Sequence, residues 1–358
     1  MFMFVFFFLV IFLIIFSSSI RHKDGWKDSY TSIEQSHSVE GIFVILIFMG
    51  HVVRYFGSFN ALDVPYVAVK NHLDQAVVSL FLFYSGFGMT QSLKKNGTVY
   101  LKKLPSKRVI PLLIKYDLLV LIYFIVRLFI GGMPDLRHIL LSFTGWENLG
   151  NFGWYVFILL CLYTLFGISF FISHKTVSGH RALITGVILL TVLSVLFMLL
   201  LSFPGQRGRW FYDTILIFCF GSWYSVFKDK CDAFLESHTC YIITCVICMV
   251  LYAVSSYFRD LHFIIYELFV FCFTSAVLLI TVKISIKSKA LDFFGSLAFP
   301  MFMLQGLSFQ IFTFFNLQAF PYLFFLLTFT VSLLLSIAFN KISGLFKPNN
   351  TKFSQIFS

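Results

Sequence analysis

The sequence predicts an all-α, polytopic membrane helical bundle of about eleven transmembrane helices, on three observations. Hydrophobic residues make up 59% of the chain and charged residues 12%, against about 25% charged in an ordinary soluble domain. The apolar residues fall in long blocks rather than in alternation. Lys and Arg, finally, crowd into every second loop between those blocks, as the positive-inside bias requires. The 50 phenylalanines suit a surface facing lipid better than one globular core.

In chain order the blocks are Phe2–Phe16, Gly41–Phe56, Ala76–Leu93, Val109–Ile130, Phe152–Ile172 and Leu183–Phe203. Ile215–Phe227, Tyr241–Tyr257, Phe263–Val282, Leu291–Phe315 and Pro321–Phe339 follow. Most reach or approach the ~20 residues of a spanning helix. Lipid-exposed barrel strands alternate in polarity and these runs do not, so strands are not expected. A helix bonds its own backbone, which is what lipid demands. The polar stretches Arg21–Glu40, Asn60–Gln75, Gln91–Arg108 and Met133–Asn151 are too short for an independent core.

With the N-terminus outside, inside segments hold 19 of the 27 Lys and Arg, including Lys94, Lys95, Lys102, Lys103, Lys107 and Arg108. Outside segments hold 7: Arg54, Lys70, Arg127, Arg137, Arg207, Arg209 and Arg259. The net charge of +11 is therefore topological and calls for no nucleic-acid partner. It places the C-terminal tail in the cytoplasm of a multi-pass protein of the cell's inner or plasma membrane. The first block starts without Lys or Arg and ends without a small-residue cleavage site. Basic residues follow it, so a retained helix is expected rather than a cleaved signal. The organisation read from this is an N-terminal anchor over 1–20, a transmembrane domain over 32–340 and a cytoplasmic tail over 341–358. The seven cysteines, Cys245 and Cys248 included, lie mostly in apolar runs without histidine neighbours and read as small buried hydrophobes, not as a metal site.

Polar residues inside apolar runs carry the functional signal, because each is costly unless partnered or wet. Glu40 and His51 lie eleven residues apart on one predicted helix, roughly 16 Å along its axis. Gly50 beside the histidine leaves room for close approach. His51 is either a general base or a histidine bonded to a backbone carbonyl or reaching outward. Phe83–Tyr84–Ser85–Gly86–Phe87–Gly88 brings two glycines into a helix, for close packing or a local break. Lys102, Lys103, Lys107 and Arg108 then precede Pro111. They anchor the helix or hold an anionic ligand. Gly150–Asn151–Phe152–Gly153–Trp154–Tyr155 forms an outer loop. Arg207–Gly208–Arg209–Trp210 places two arginines on the side the charge bias leaves poor, with Asp213 in reach to neutralise one. Gln305 lies within the tenth block and needs a bonding partner there.

In this order the segments resemble the acyltransferase 3 family of membrane O-acyltransferases, over roughly Ser32 to Phe339. That family's first core helix carries a basic residue, ten intervening positions and a histidine, and Glu40 and His51 occupy those ends. A Phe-rich helix ending in a serine–glycine pair is matched at Phe81–Gly88, and a basic stretch leading to proline at Lys107–Pro111. A Trp-containing helix start is matched at Asn151–Tyr155, a glycine-containing helix at Phe220–Trp223, and a final Phe–Gly–Ser helix at Phe294–Gln305. Glu40 stands where the family has a basic residue and Gln305 where many members have histidine.

The resemblance implies transfer of an acyl group, usually acetyl, from acyl-coenzyme A to a hydroxyl of an envelope or exported carbohydrate. Catalysis would fall to His51, with Glu40 at the paired position. The donor would be held by Lys103, Lys107, Arg108, Tyr84 and Ser85. The acceptor would meet Asn151, Trp154, Tyr155, Arg207, Arg209, Trp210 and Gln305. Acyl-coenzyme A is then a co-substrate and no permanently bound cofactor is implied. The partners are the lipid bilayer, the donor and the glycan, and the sequence leaves a homo-oligomer open. A glycan exporter without chemistry, or an accessory protein of cell-wall assembly, would also place polar residues in helices. An exporter, however, more often shows repeats and correspondingly broken helices.

Overall fold

The computed structural model describes residues 2–21, 26–56, 60–73, 75–132, 134–203 and 207–345. The expected apolar segments all form helices. In chain order these are α1 (Phe2–Ser17), α2 (Trp26–Ser29), α3 (Ile33–Val52), α4 (Val64–Leu73), α5 (Ala76–Asn96), α6 (Thr98–Leu104), α7 (Ile110–Ile130), α8 (Leu136–Ser142) and α9 (Gly153–Thr176). There follow α10 (Gly179–Ser202), α11 (Ile215–Val226), α12 (Lys228–Glu236), α13 (His238–Phe258), α14 (Phe263–Lys283), α15 (Lys289–Ser296), α16 (Ala298–Phe314) and α17 (Pro321–Leu345).

Of the eleven expected crossings, fewer are met by single helices of full spanning length. Among the described residues eight helices are long and apolar enough to span, or nine if α15 and α16 form one span, broken by 71°. The 16 residues of α1 and the 12 of α11 fall short of the ~20 that cover a bilayer core. Continuous hydropathy over Leu291–Phe315 hides the break, where Pro300 sits in the first turn of α16, a position that proline favours. Helix α17 runs through residue 340 to Leu345, into the first residues of the expected tail. Residues 346–358 of the expected tail lie outside the described residues. Of the polar stretch Asn60–Gln75, residues 64–73 are helical.

Two strands, unexpected from the sequence, pair antiparallel: β1 (Ser18–Ile20) and β2 (Ile284–Ile286), with Ser19 opposite Ser285. They lie at helix ends, outside the apolar runs to which the argument against strands applied.

The chain divides into two compact units. The first takes Met1–Gly50, Ser58–Pro105 and Ile158–Ser296. Two reciprocal glycine crossings organise it. A Cβ at Gly86 of α5 would collide with the Phe218 carbonyl of α11, and one at Gly221 of α11 with the Phe83 carbonyl of α5. Likewise Gly41 of α3 packs on the Leu291 carbonyl of α15 and Gly295 on that of His37. Small residues let helix backbones meet in this way, where lipid offers no hydrophobic gain for association. Gly86 thus serves packing within an unbroken α5, whereas a Cβ on Gly88 meets nothing within 4 Å among the described residues.

Helix α1 is fastened at both ends. The buried carboxylate of Asp63 accepts from the Phe4 backbone N–H at 3.1 Å, capping a helix start where unbonded N–H groups and the helix dipole favour an anion. Beyond its last turn, β1 pairs with β2. Arg259 likewise donates to the carbonyls of His72 and Asn71, serving the otherwise unbonded end of α4. Basic residues from separate loops gather at one end of this unit. Lys228 Nζ donates to Asp232 at 2.7 Å and to the Lys27 carbonyl at 2.5 Å, and Lys283 lies 4.7 Å from the Tyr241 ring centre.

The second unit takes His51–Gly57, Ser106–Phe157 and Leu297–Ser358. Tyr123 of α7 donates to the Met303 carbonyl of α16 at 2.6 Å, and the Ser308 and Ser332 hydroxyls join α16 to α17 at 2.6 Å. Tyr55, in the one-turn 3₁₀ helix after α3, packs its ring on Phe309 and Phe324 at 5.2 and 5.4 Å.

Candidate active site around His51

His51 is in the last turn of α3, half-buried, with its imidazole lying flat on the Phe152 ring. The ring centres are 4.1 Å apart and the planes 8° from parallel. Phe302 of α16 stands 6.1 Å from His51 and 5.2 Å from Phe152, with Tyr155 edge-on to it at 5.6 Å. Stacking fixes the plane of an imidazole through its face. Both ring nitrogens lie in that plane, and Nδ1 is buried.

Phe152 is held by a loop bonded on several sides. Tyr116 of α7 donates to the Ser142 carbonyl at 2.8 Å, and Asn151 Nδ2 donates to the Tyr116 hydroxyl at 3.4 Å. Asn151 Oδ1 accepts from Leu149 N at 3.2 Å, while the Leu149 carbonyl accepts from Arg127 Nε at 3.0 Å and Gln310 Nε2 at 2.9 Å. Gly150 has φ +94°, and a side chain there would collide with the Gln310 amide, so both conformation and space call for glycine. Gly306 of α16 packs on the Gly150 carbonyl, and Gly153 on the Tyr116 hydroxyl. What read as an outer loop is a braced platform. A ring set on such a platform is placed well enough to orient a catalytic group.

Residues 33–341 match the family of the acyltransferase 3 type described as an acyltransferase domain. The chain belongs to the acyltransferase 3 family. No curated protein and no solved structure matches it.

As a member of this membrane acyltransferase family, the chain can be followed site residue by site residue. Glu40 and His51 lie on the same continuous helix. Eleven residues make almost three whole turns, so the two side chains leave the helix on nearly one face. Space around Gly50 is open, since a Cβ there meets only the Lys70 Cγ, at 3.8 Å.

Tyr84 and Ser85 belong to the first unit. Ser85 hydrogen-bonds the Tyr163 hydroxyl at 2.9 Å, and the Tyr84 hydroxyl is buried without a hydrogen-bond partner among the described residues. Lys103 in α6 and Lys107 and Arg108 just after it are exposed. Residues Pro105–Val109 form a π-helical turn between α6 and α7, which the sequence reading missed. Pro111 has no N–H for the carbonyl four residues earlier, and a widened turn there is a feature frequent at functional sites.

Asn151, Trp154, Tyr155 and Gln305 share the second unit with His51, and Arg207, Arg209 and Trp210 belong to the first. Arg209 Nε pairs with the buried Asp213 at 3.2 Å and its guanidinium lies 5.0 Å from the Tyr266 ring centre. Neutralisation by Asp213 is thus realised, at Arg209. Arg207 stacks on Phe211 at 5.2 Å, and Trp210 is about half exposed. Gln305 is buried, its Nε2 donating to the Phe302 carbonyl at 2.8 Å. Its Oε1 is buried without a donor among the described residues. That arrangement costs about 1–3 kcal/mol until a donor reaches it.

Sequence reasoning missed Phe152 and Phe302 as partners of His51, and Tyr116 as the brace of the platform. It also passed over two acids within apolar helices, Asp117 of α7 and the buried Glu267 of α14. A single carboxylate in an apolar run was the signal available for these. Nothing in the sequence marks the rings.

Proposed function

We propose that this acyltransferase moves an acyl group, acetyl by preference, from acyl-coenzyme A to a hydroxyl of a cell-envelope or exported glycan, with His51 as general base. The observation that carries the proposal is the His51–Phe152 stack on its braced platform. A fixed ring plane suits the imidazole to take a hydroxyl proton near neutral pH. The hydroxyl oxygen then forms a bond to the thioester carbonyl carbon, the carbon–sulfur bond breaks, and coenzyme A leaves as the thiol. No acyl-enzyme is required.

The exposed Lys103, Lys107 and Arg108 would meet the phosphates of the donor. On the charge-bias orientation they face the cytoplasm of the inner or plasma membrane, with the C-terminus on the same side. Asn151, Trp154, Tyr155 and Gln305 would meet the acceptor, the Gln305 Oε1 accepting from a sugar hydroxyl. Arg207, Arg209 and Trp210 remain acceptor-side candidates, though Arg209 is already engaged by Asp213.

The deciding experiment expresses His51→Ala and compares ester-linked acyl groups on envelope glycans by mass with wild type and a deletion. The variant should be as abundant as wild type and its glycans as bare as in the deletion. Glycans acylated at the wild-type level would remove His51 from the chemistry. If glycans from the deletion itself matched wild type, the glycan would not be the acceptor.

A further inference from the structure

A polar cleft of about 330 Å³ opens beside the β1–β2 ribbon, walled in part by the first turn of α3. Arg21, directly after β1, reaches into it. Arg21 Nε donates to the Thr281 carbonyl at 2.8 Å, Nη1 to Ser29 Oγ at 2.5 Å and Nη2 to Gln35 Oε1. All three acceptors are neutral. A guanidinium has five N–H donors, so two remain for another partner and the positive charge is not balanced by these bonds.

Gln35, only 3% exposed, supplies the second observation. Its Oε1 accepts from both Arg21 Nη2 and the Ile286 backbone N–H, the latter at 3.1 Å. Those two bonds settle which end of the amide is oxygen. Its Nε2 then lines the cleft, buried and without an acceptor among the described residues. A buried donor left so is costly and rare in folded proteins. Lys287 stands exposed at the rim and forms no ion pair among the described residues. Its backbone is fixed by a 2.9 Å bond to the Ser17 carbonyl. The Ser32 and Ser285 hydroxyls complete the wall, and among the described residues Glu34, exposed, is its one carboxylate.

We infer that this cleft binds the phosphate group of a phosphate ester. A guanidinium, an ammonium, an amide N–H and hydroxyls converging on one space match a multi-oxygen anion. The volume holds more than a phosphate alone, at the lower end of the range for small-ligand sites. Lys283, its Nζ 6.0 Å from the ring centre of Trp26 on the cleft wall, would help draw such an anion in from solution. The phosphate belongs either to a soluble nucleotide-like molecule or to a lipid headgroup at the membrane surface.

The test uses the purified full chain in phosphatidylcholine nanodiscs, titrated calorimetrically with inorganic pyrophosphate and with coenzyme A. Retention of phosphatidylglycerol through purification is measured beside it. Lys287→Ala removes a rim charge that no fold contact uses, and Gln35→Leu removes the buried donor. Each should weaken the bound probe about tenfold or more, with Lys287→Ala keeping the wild-type melting temperature. Weakened pyrophosphate and coenzyme A binding assigns the phosphate to a soluble ligand. Lost phosphatidylglycerol retention assigns it to a lipid. Wild-type behaviour of Lys287→Ala with all three probes, or saturable binding of none by the wild-type chain, overturns the inference. His51→Ala should bind every probe as wild type does, so the outcome is separate from that of the acyl-transfer reading.

Discussion

Replacing Gly86 or Gly221 by alanine strikes the α5–α11 crossing where the two backbones are closest. A Cβ on Gly86 would stand 3.0 Å from the Phe218 carbonyl carbon, and one on Gly221 would stand 3.0 Å from that of Phe83 and 2.9 Å from Phe87 N. Carbon atoms in ordinary contact are about 3.5–4.0 Å apart, and the two carbonyl oxygens lie nearer still, so the helices must part by about 1 Å or more. The obstacles are backbone atoms, which cannot swing aside as a side-chain end can. Overpacking of this kind costs about 1–3 kcal/mol, offset by the helix-propensity gain of about 0.5–1 kcal/mol for Gly→Ala. Each variant should lose about 1–2 kcal/mol. One separation relieves both collisions, so the double variant should cost less than the two single losses added together. Gly88→Ala, whose Cβ meets nothing within 4 Å, is the control and should be neutral or slightly stabilising. Reversible unfolding in mixed micelles, run as a double-mutant cycle, reads all four values. Equal stability of Gly86→Ala and Gly88→Ala, or strict additivity of the double, would refute the reasoning.

Three further outcomes can be checked. Neutralising Lys103, Lys107 and Arg108 to Gln should raise the KM for acyl-coenzyme A with topology unchanged; an unchanged KM would confine those charges to anchoring. Phe152→Leu should lower kcat about three- to tenfold, the worth of an aromatic pair at about 0.5–1.5 kcal/mol, and should shift the acidic limb of the pH–rate profile, where the general base becomes protonated. A stability loss with an unaltered profile would make the ring structural only. Lys228→Met leaves the buried Asp232 with Tyr30 as its remaining partner, at 2.6 Å. It should cost about 3 kcal/mol in the same unfolding assay, against less than about 1 kcal/mol for Lys27→Ala at the exposed Lys27–Glu236 pair.

Spans were legible because hydropathy is a property of one segment at a time. Phe2–Phe16 and Ile215–Phe227 show the limit of that reading, since an apolar block states its polarity and not whether its helix crosses the core. The 71° break before α16 was hidden for the same reason. Gly86 could be read as a packing residue, but its partner Gly221 lies 135 positions later and only tertiary structure pairs them. His51 was visible as a polar group out of place. The ring beneath it was not, because Phe152 is one phenylalanine among 50 and its role comes from the bonds of Asn151, Arg127 and Gln310 around it. Three-residue strands such as Ser18–Ile20 carry no period to read. Arg127, counted as an outside charge, is a brace for a carbonyl, which charge statistics cannot express.

The β1–β2 pairing sets an order of events during synthesis. Arg21 and its acceptor Thr281 are separated by 260 residues. At about 5–20 residues per second the ribosome delivers the second roughly 13–52 s after the first. Helix α1 is therefore made early and waits with an unpaired strand edge, an exposure that invites mispairing. The ribbon closes only when α14 has been made, so a segment made early is among the last to be locked. Slowed elongation between α13 and α14 would lengthen that interval, and the same polar groups that line the cleft would meanwhile face water.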